Sequence, residues 1–170
     1  MSNLDAIRRL HQHRDWVNRK LRACARTLPA SQLDQPFEIG AGSLIKTLAH
    51  LHAAEVVWLS AINGQADPPS PFHFRFSDLA QLEAAWDESE KGWQSLLGVL
   101  TEESLGRAVT KKASLTGETA RTPLLDVLLH VCTHAQYTTA QAINMLRRLG
   151  VPGDQLPDSM LITMSRQEQH

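Results

Sequence analysis

The chain has 170 residues, 42% of them hydrophobic and 21% charged, and its 17 Lys and Arg against 18 Asp and Glu leave a formal net charge of -1. One domain, 1–170, of this size buries roughly 70% of the surface its unfolded chain exposes, and a near-neutral chain without runs of like charge speaks against a nucleic-acid partner. No stretch approaches the roughly 18 apolar residues of a membrane span and the start, MSNLDAIRRLHQH, lacks a secretory apolar run, so no membrane partner and a cytoplasmic location are expected.

From Leu4 to Leu28 the apolar residues Ile7, Leu10, Trp16, Val17, Leu21, Ala25 and Leu28 recur mostly every three or four positions, which stacks them on one helix face. Pro29 stops this first helix, and the turn formers up to Gly42 predict a loop. Ser43 offers an N-cap hydroxyl to a second helix carrying Leu44, Ile45, Leu48, Leu51, Ala54, Val57, Trp58 and Ile62, which ends near Asn63-Gly64. The proline-rich stretch Ala66 to Phe76, containing PPSPFHFRF, cannot continue a helix. Ser77 and Asp78 restart the pattern for a third helix to about Thr101, with Asp87, Glu88, Glu90 and Lys91 read as a solvated face. Residues 107 to 122 alternate loosely around Leu115-Thr116-Gly117 and predict a small hairpin or irregular crossover. Thr122-Pro123 then reads as a capping hydroxyl followed by proline at the first helical position, opening a fourth helix that ends at Gly150. Four such stripes must cover one another, so the expected fold is all-α, an up-and-down-like four-helix bundle with an irregular or hairpin crossover before the last helix. The tail, 151–170, is expected to lie partly ordered against the bundle.

Eight histidines are the chemically suggestive feature. His130 and His134 are four residues apart on the last helix, so both rings project from one side, a spacing that offers a metal two neutral nitrogens. From spacing alone, ordinary packing is the simpler reading. In the second helix His50 and His52 are about 200° apart, so at most one faces the bundle centre; His50 is the inward candidate and His52 the solvated one. His11, His13, His73 and His170 carry no comparable signal. Cys24 and Cys132 lie far apart inside helical patterns and read as buried, unreactive thiols. The four tryptophans read as core or groove packing. No GxSxG, HExxH, GxGxxG or P-loop pattern is present, and the ExxH repeat of a carboxylate metal cluster is missing.

The stretch SLIKTLAHLHAAEVVWLSAING, with His50 followed eight residues later by Trp58, resembles the second helix of DinB-like (YfiT-like) bundle proteins. TPLLDVLLHVCTHAQYTTAQAINMLRRLG resembles their last helix, and HRDWVNRKL and LPDSMLITMSRQ fit the two edges of the family pattern. The resemblance implies a three-histidine metal site at His50, His134 and position 138, where this sequence has Thr138; Thr139 and Ala140 replace the following arginine and glycine, and Gln141 matches. With one imidazole missing, a divalent metal, zinc or nickel, is expected to be weakly bound or absent, with His130 the substitute ligand one turn away. Two functions follow from the resemblance. One is a small-molecule-binding or stress-related protein with a degraded metal site. The other is a metal-dependent transferase acting with a low-molecular-weight thiol, whose metal would depress the thiol pKa. The resemblance and the apolar residues Leu156, Met160, Leu161, Ile162 and Met164 of the tail also predict a homodimer.

Overall fold

A computed structural model describes residues 2–71, 74–113 and 116–168. Its elements in order are α1 (Asn3–Ala25), a short α2 (Ala30–Leu33), α3 (Leu44–Ile62), α4 (Leu79–Val99), a 3-10 turn (Glu103–Gly106), β1 (Ala108–Lys112), β2 (Thr119–Pro123), α5 (Leu124–Arg148) and α6 (Leu161–Gln167). The four long helices are those the apolar spacing predicts. The first stops three residues early, and the loop after it contains the single turn α2. Ser2 and Asp5 form a reciprocal capping box on α1, the Ser43 hydroxyl accepts from Lys46 N–H on α3, and the Asp78 carboxylate accepts from Gln81 N–H on α4. Gly150, at φ +88°, takes the left-handed position that closes α5.

Thr122 is not the cap of α5. It lies in β2, pairs with Val109, and leaves Pro123 at the capping position without a side-chain bond. The first helical N–H of α5, on Leu124, instead donates to Arg107 C=O at 2.8 Å, so the backbone leading into the hairpin does the capping. The expected hairpin is present as antiparallel β1 and β2; Ser114 and Leu115 lie outside the described residues.

The helices do not alternate up and down in sequence order. Leu44, Leu48 and Leu51 of α3 share one core cluster with Leu82 and Trp86 from the start of α4, while Ala61 and Ile62 share the other with Trp93 and Leu100 near its end. The two helices therefore run parallel. By the same comparison α1 runs parallel to α5, Leu4 and Ile7 lying with Leu124 to Val131 and Val17 to Ala25 with Ala135 to Leu146. The order is up, down, down, up. Apolar stripes specify which face is buried but not the direction of the neighbour they meet, which is why the sequence does not reveal this. Its physical trace is the length of segment 63–78, which must return along α3, about 28 Å for its 19 residues, before α4 can start. Prolines suit that extended path.

Between the two apolar clusters lies a polar layer. Arg14, Asn18 and His11 of α1, Glu55 of α3 and Glu90 of α4 meet there, all but Glu90 fully buried. Arg14 donates to Glu90 Oε2 and to His11 Nδ1, and Asn18 and Trp86 donate to the two oxygens of Glu55 at 2.8 and 3.2 Å. Glu90 is thus turned inward and is not part of a solvated face; Glu88 and Lys91, paired at 3.0 Å, are. Asp87 reaches Arg22 at 2.6 Å. In the tail, α6 packs on α1, with Met164 buried and Arg9 bridged to Glu168 at 2.7 Å.

Candidate functional site

The start of α3 and the second half of α5 cross beside the returning segment, and the three enclose a cavity of about 820 Å³. That is a volume suited to a small organic molecule. Its floor is helical: His50 and Ala49 from α3, His134, Thr138 and Gln141 from α5. One wall is the extended chain, with Pro71, Phe74 and Phe76, and another is the loop at Gly40 and Ala41. Gly40 has φ +58°, and a Cβ there would lie 2.7 Å from Thr47 Oγ1 and 3.3 Å from Gln141 Oε1, so only glycine lets this loop close against the floor.

His50 and His134 converge as the sequence predicts. Both are half-buried, their rings 5.3 Å apart and edge to face. Burial first, then the neighbouring His50 and His130, bring the His134 pKa down to about 4, and burial lowers that of His50. Both rings are therefore neutral at pH 7, each with one N–H and one acceptor nitrogen. Thr138, one turn beyond His134, is buried and lines the same cavity.

His130 is elsewhere. It is solvent-exposed, 6.0 Å from the His134 ring, and lies edge-on to Trp58 at 5.4 Å, outside the cavity lining. Among the described residues no three His, Cys, Asp or Glu side chains are grouped to hold a metal ion. Two imidazoles and a threonine hydroxyl do not fit a three-histidine centre, since an uncharged hydroxyl is a poor third donor to a divalent ion.

His52 is not solvated. It is buried on the opposite side of α3, 5.6 Å from the rings of both Phe76 and Trp86, and burial takes its pKa to about 4. His11 and His13 are also buried; His11, held to a pKa of about 3 chiefly by burial, contacts Leu128 C=O through Nε2 and Arg14 through Nδ1. His73 and His170 lie outside the described residues. Cys24 is buried, and burial raises the half-buried Cys132 to a pKa of about 12, so neither is a nucleophile at neutral pH. Sequence reasoning did not find the wall residues Phe74 and Phe76, because a proline-rich loop has no period that says what it faces. It did not find the polar layer either, although His11, Arg14 and Asn18 occupy positions that continue the buried spacing of Ile7 and Leu21.

The architecture is that of a four-helix bundle with an imidazole-bearing pocket between two of its helices. The sequence matches the DinB family over residues 1–165, and the chain belongs to that family. A similar solved structure is YfiT from Bacillus subtilis, described as a probable metal-dependent hydrolase with an unusual four-helix bundle topology. It superposes with a TM-score of 0.68 at 19% identity, covering 89% of this chain and 91% of that one, a likeness of fold. No curated protein matches the sequence significantly.

Proposed function

We propose that this DinB-family protein binds a small organic molecule in the cavity between α3 and α5 through its own side chains, with any divalent metal held weakly. The observation that carries this reading is the buried Thr138 hydroxyl beside His50 and His134, which leaves two neutral imidazoles in a pocket of about 820 Å³ with aromatic walls. Titration calorimetry with zinc and with nickel tests it. The parent is expected to bind weakly; Thr138→His is expected to bind at least about a hundredfold more tightly by completing three imidazoles, and Thr138→His with His134→Ala to lose the gain. Tight stoichiometric binding by the parent would overturn the reading.

The second reading is a metal-dependent enzyme, a hydrolase as YfiT is described or a thiol transferase, with His130 as the third ligand. It is favoured by the unbroken row of rings, His130 lying 6.0 Å from His134 and His134 lying 5.3 Å from His50. It requires tight metal binding in the parent that His130→Ala abolishes. A cytoplasmic homodimer completes the proposal. Met160 and Ile162 stay exposed at 61% and 51%, so light scattering at micromolar concentration is expected to give twice 18.9 kDa.

A further inference from the structure

The floor of the cavity carries a polar stripe on a single helix. His134, Thr138 and Gln141 follow one another at intervals of four and three residues along α5, so their side chains share one face, and all three line the cavity. By the helical rise they are spaced about 6 and 4.5 Å apart along the axis. None of the three forms a side-chain hydrogen bond among the described residues. Thr138 is only 1% exposed, yet its oxygen is not sealed as the unpartnered Asn18 Oδ1 and Trp93 Nε1 of the core are, so its one opening is toward the cavity. A hydroxyl taken this far out of water without a partner is costly, and a ligand atom that pairs with it recovers that cost.

The rest of the lining is aromatic and apolar, with charges that balance. Phe74 and Phe76 form the wall, and both rings are backed by the buried His52, at 6.2 and 5.6 Å. Two cations, Lys46 and Arg75, and two carboxylates, Asp34 and Asp78, also border the cavity. All four are engaged within the chain. Lys46 bridges Asp34 at 3.6 Å, Arg75 donates to Phe74 C=O at 2.9 Å, and Asp78 accepts from Gln81 N–H at 2.9 Å as the cap of α4. The lining therefore offers no surplus charge of either sign by which an ion would be selected.

We propose that the cavity takes an uncharged planar heteroaromatic molecule, its faces against the Phe74 and Phe76 wall and its hydrogen-bonding edge along His134, Thr138 and Gln141. This rests on the small-molecule reading of the pocket. A planar heterocycle carries its donors and acceptors on its edge and leaves its faces apolar, which is the division the lining shows. An N–H beside a C=O, as in a lactam ring, suits the stripe because a neutral imidazole, a hydroxyl and an amide each donate and accept.

A matched pair of bicyclic probes tests the edge separately from the pocket. Calorimetry of quinazolin-4(3H)-one and of quinoline with the full chain is expected to show the lactam about tenfold tighter, the scale of one or two added neutral hydrogen bonds. Thr138→Val keeps the shape and removes the hydroxyl, and should shrink the difference to less than about threefold with quinoline affinity unchanged. Thr138→Ser should restore most of it, and Lys46→Met should leave it as in the parent. Without ligand, Thr138→Val should melt no lower than the parent, since it removes an unpaired buried hydroxyl. A lower midpoint would mean that the hydroxyl serves the fold, and overturns the assignment. Equal affinity for the two probes, or a difference that survives Thr138→Val or is lost in Lys46→Met, overturns it too and leaves the pocket reading standing. Absence of binding by both overturns this inference alone, because the zinc and nickel titrations of the parent decide the reading on which it rests.

Discussion

Arg14 is fully buried, its guanidinium hydrogen-bonded to Glu90 and 3.7 Å from Glu55 through Nε. Taking these charges out of water costs several kcal/mol per ion, offset only while each keeps its partner. Arg14→Met should therefore destabilise the fold by about 3–5 kcal/mol, the usual result of stripping one partner from a buried pair, as measured by urea denaturation at pH 7. Glu90 behaves differently, because burial outweighs the nearby Arg14 and raises its pKa to about 7. The folded chain then keeps a proton that the unfolded chain loses near pH 4.5. Its contribution is complete below that pH and is lost as pH rises through about 7. Glu90→Gln keeps an oxygen to accept from Arg14 and removes the titration. The variant should gain on the order of 1–3 kcal/mol over the parent at pH 8 and little at pH 4.5. A parent that grows more stable relative to Glu90→Gln between those pH values would contradict the assignment.

Among the elements, helix starts separate what the sequence discloses from what it conceals. Ser43 is recognisable as a cap because a hydroxyl residue precedes a run of apolar spacing, and its oxygen does accept from Lys46 N–H. Thr122 carries the same local signal and fails, because β1 claims its backbone and Arg107 C=O takes the first free N–H. Ser43→Ala should cost about 1 kcal/mol and Thr122→Ala less than about 0.5, read as a larger shift of the thermal midpoint for the first. A reversed order would mean that Thr122 caps after all. The same contrast holds for the histidines. His50 and His134 are legible because the apolar stripes place both on inward faces. His52 is concealed because α3 is covered on two sides, by α5 and by α4 with the crossover, and a single-stripe reading assigns the second side to water. The parallel course of α3 and α4 is concealed for a similar reason: a stripe has a face but no direction, and only the length of 63–78 hints at it.

At the scale of the molecule, three neutral imidazoles set the acid limit. His11, His52 and His134 hold pKa values of about 3, 4 and 4, each because burial disfavours the charged ring, against 6.5 for an exposed histidine. A lowered value means stability that is complete above pH 6.5 and is lost as pH falls, since the unfolded chain takes up protons the folded chain refuses. Urea midpoints should fall steadily from pH 6.5 to pH 4, with a net slope corresponding to about one to two protons once the opposing proton of Glu90 is subtracted. His52→Phe, among Phe76 and Trp86, should remove about one proton from that slope; an unchanged slope would mean that His52 is charged when folded. The pocket, finally, has two kinds of boundary. Its histidines are fixed by helices that hold the core together, whereas its aromatic wall is carried by the segment that brings the chain back along α3, of which Phe76 also packs against the first apolar cluster. Exchanging 65–71 and 74–75 for another sequence of equal length and similar proline content, with Phe76 kept where it packs on the first apolar cluster, should redraw the cavity wall while leaving the four long helices in place.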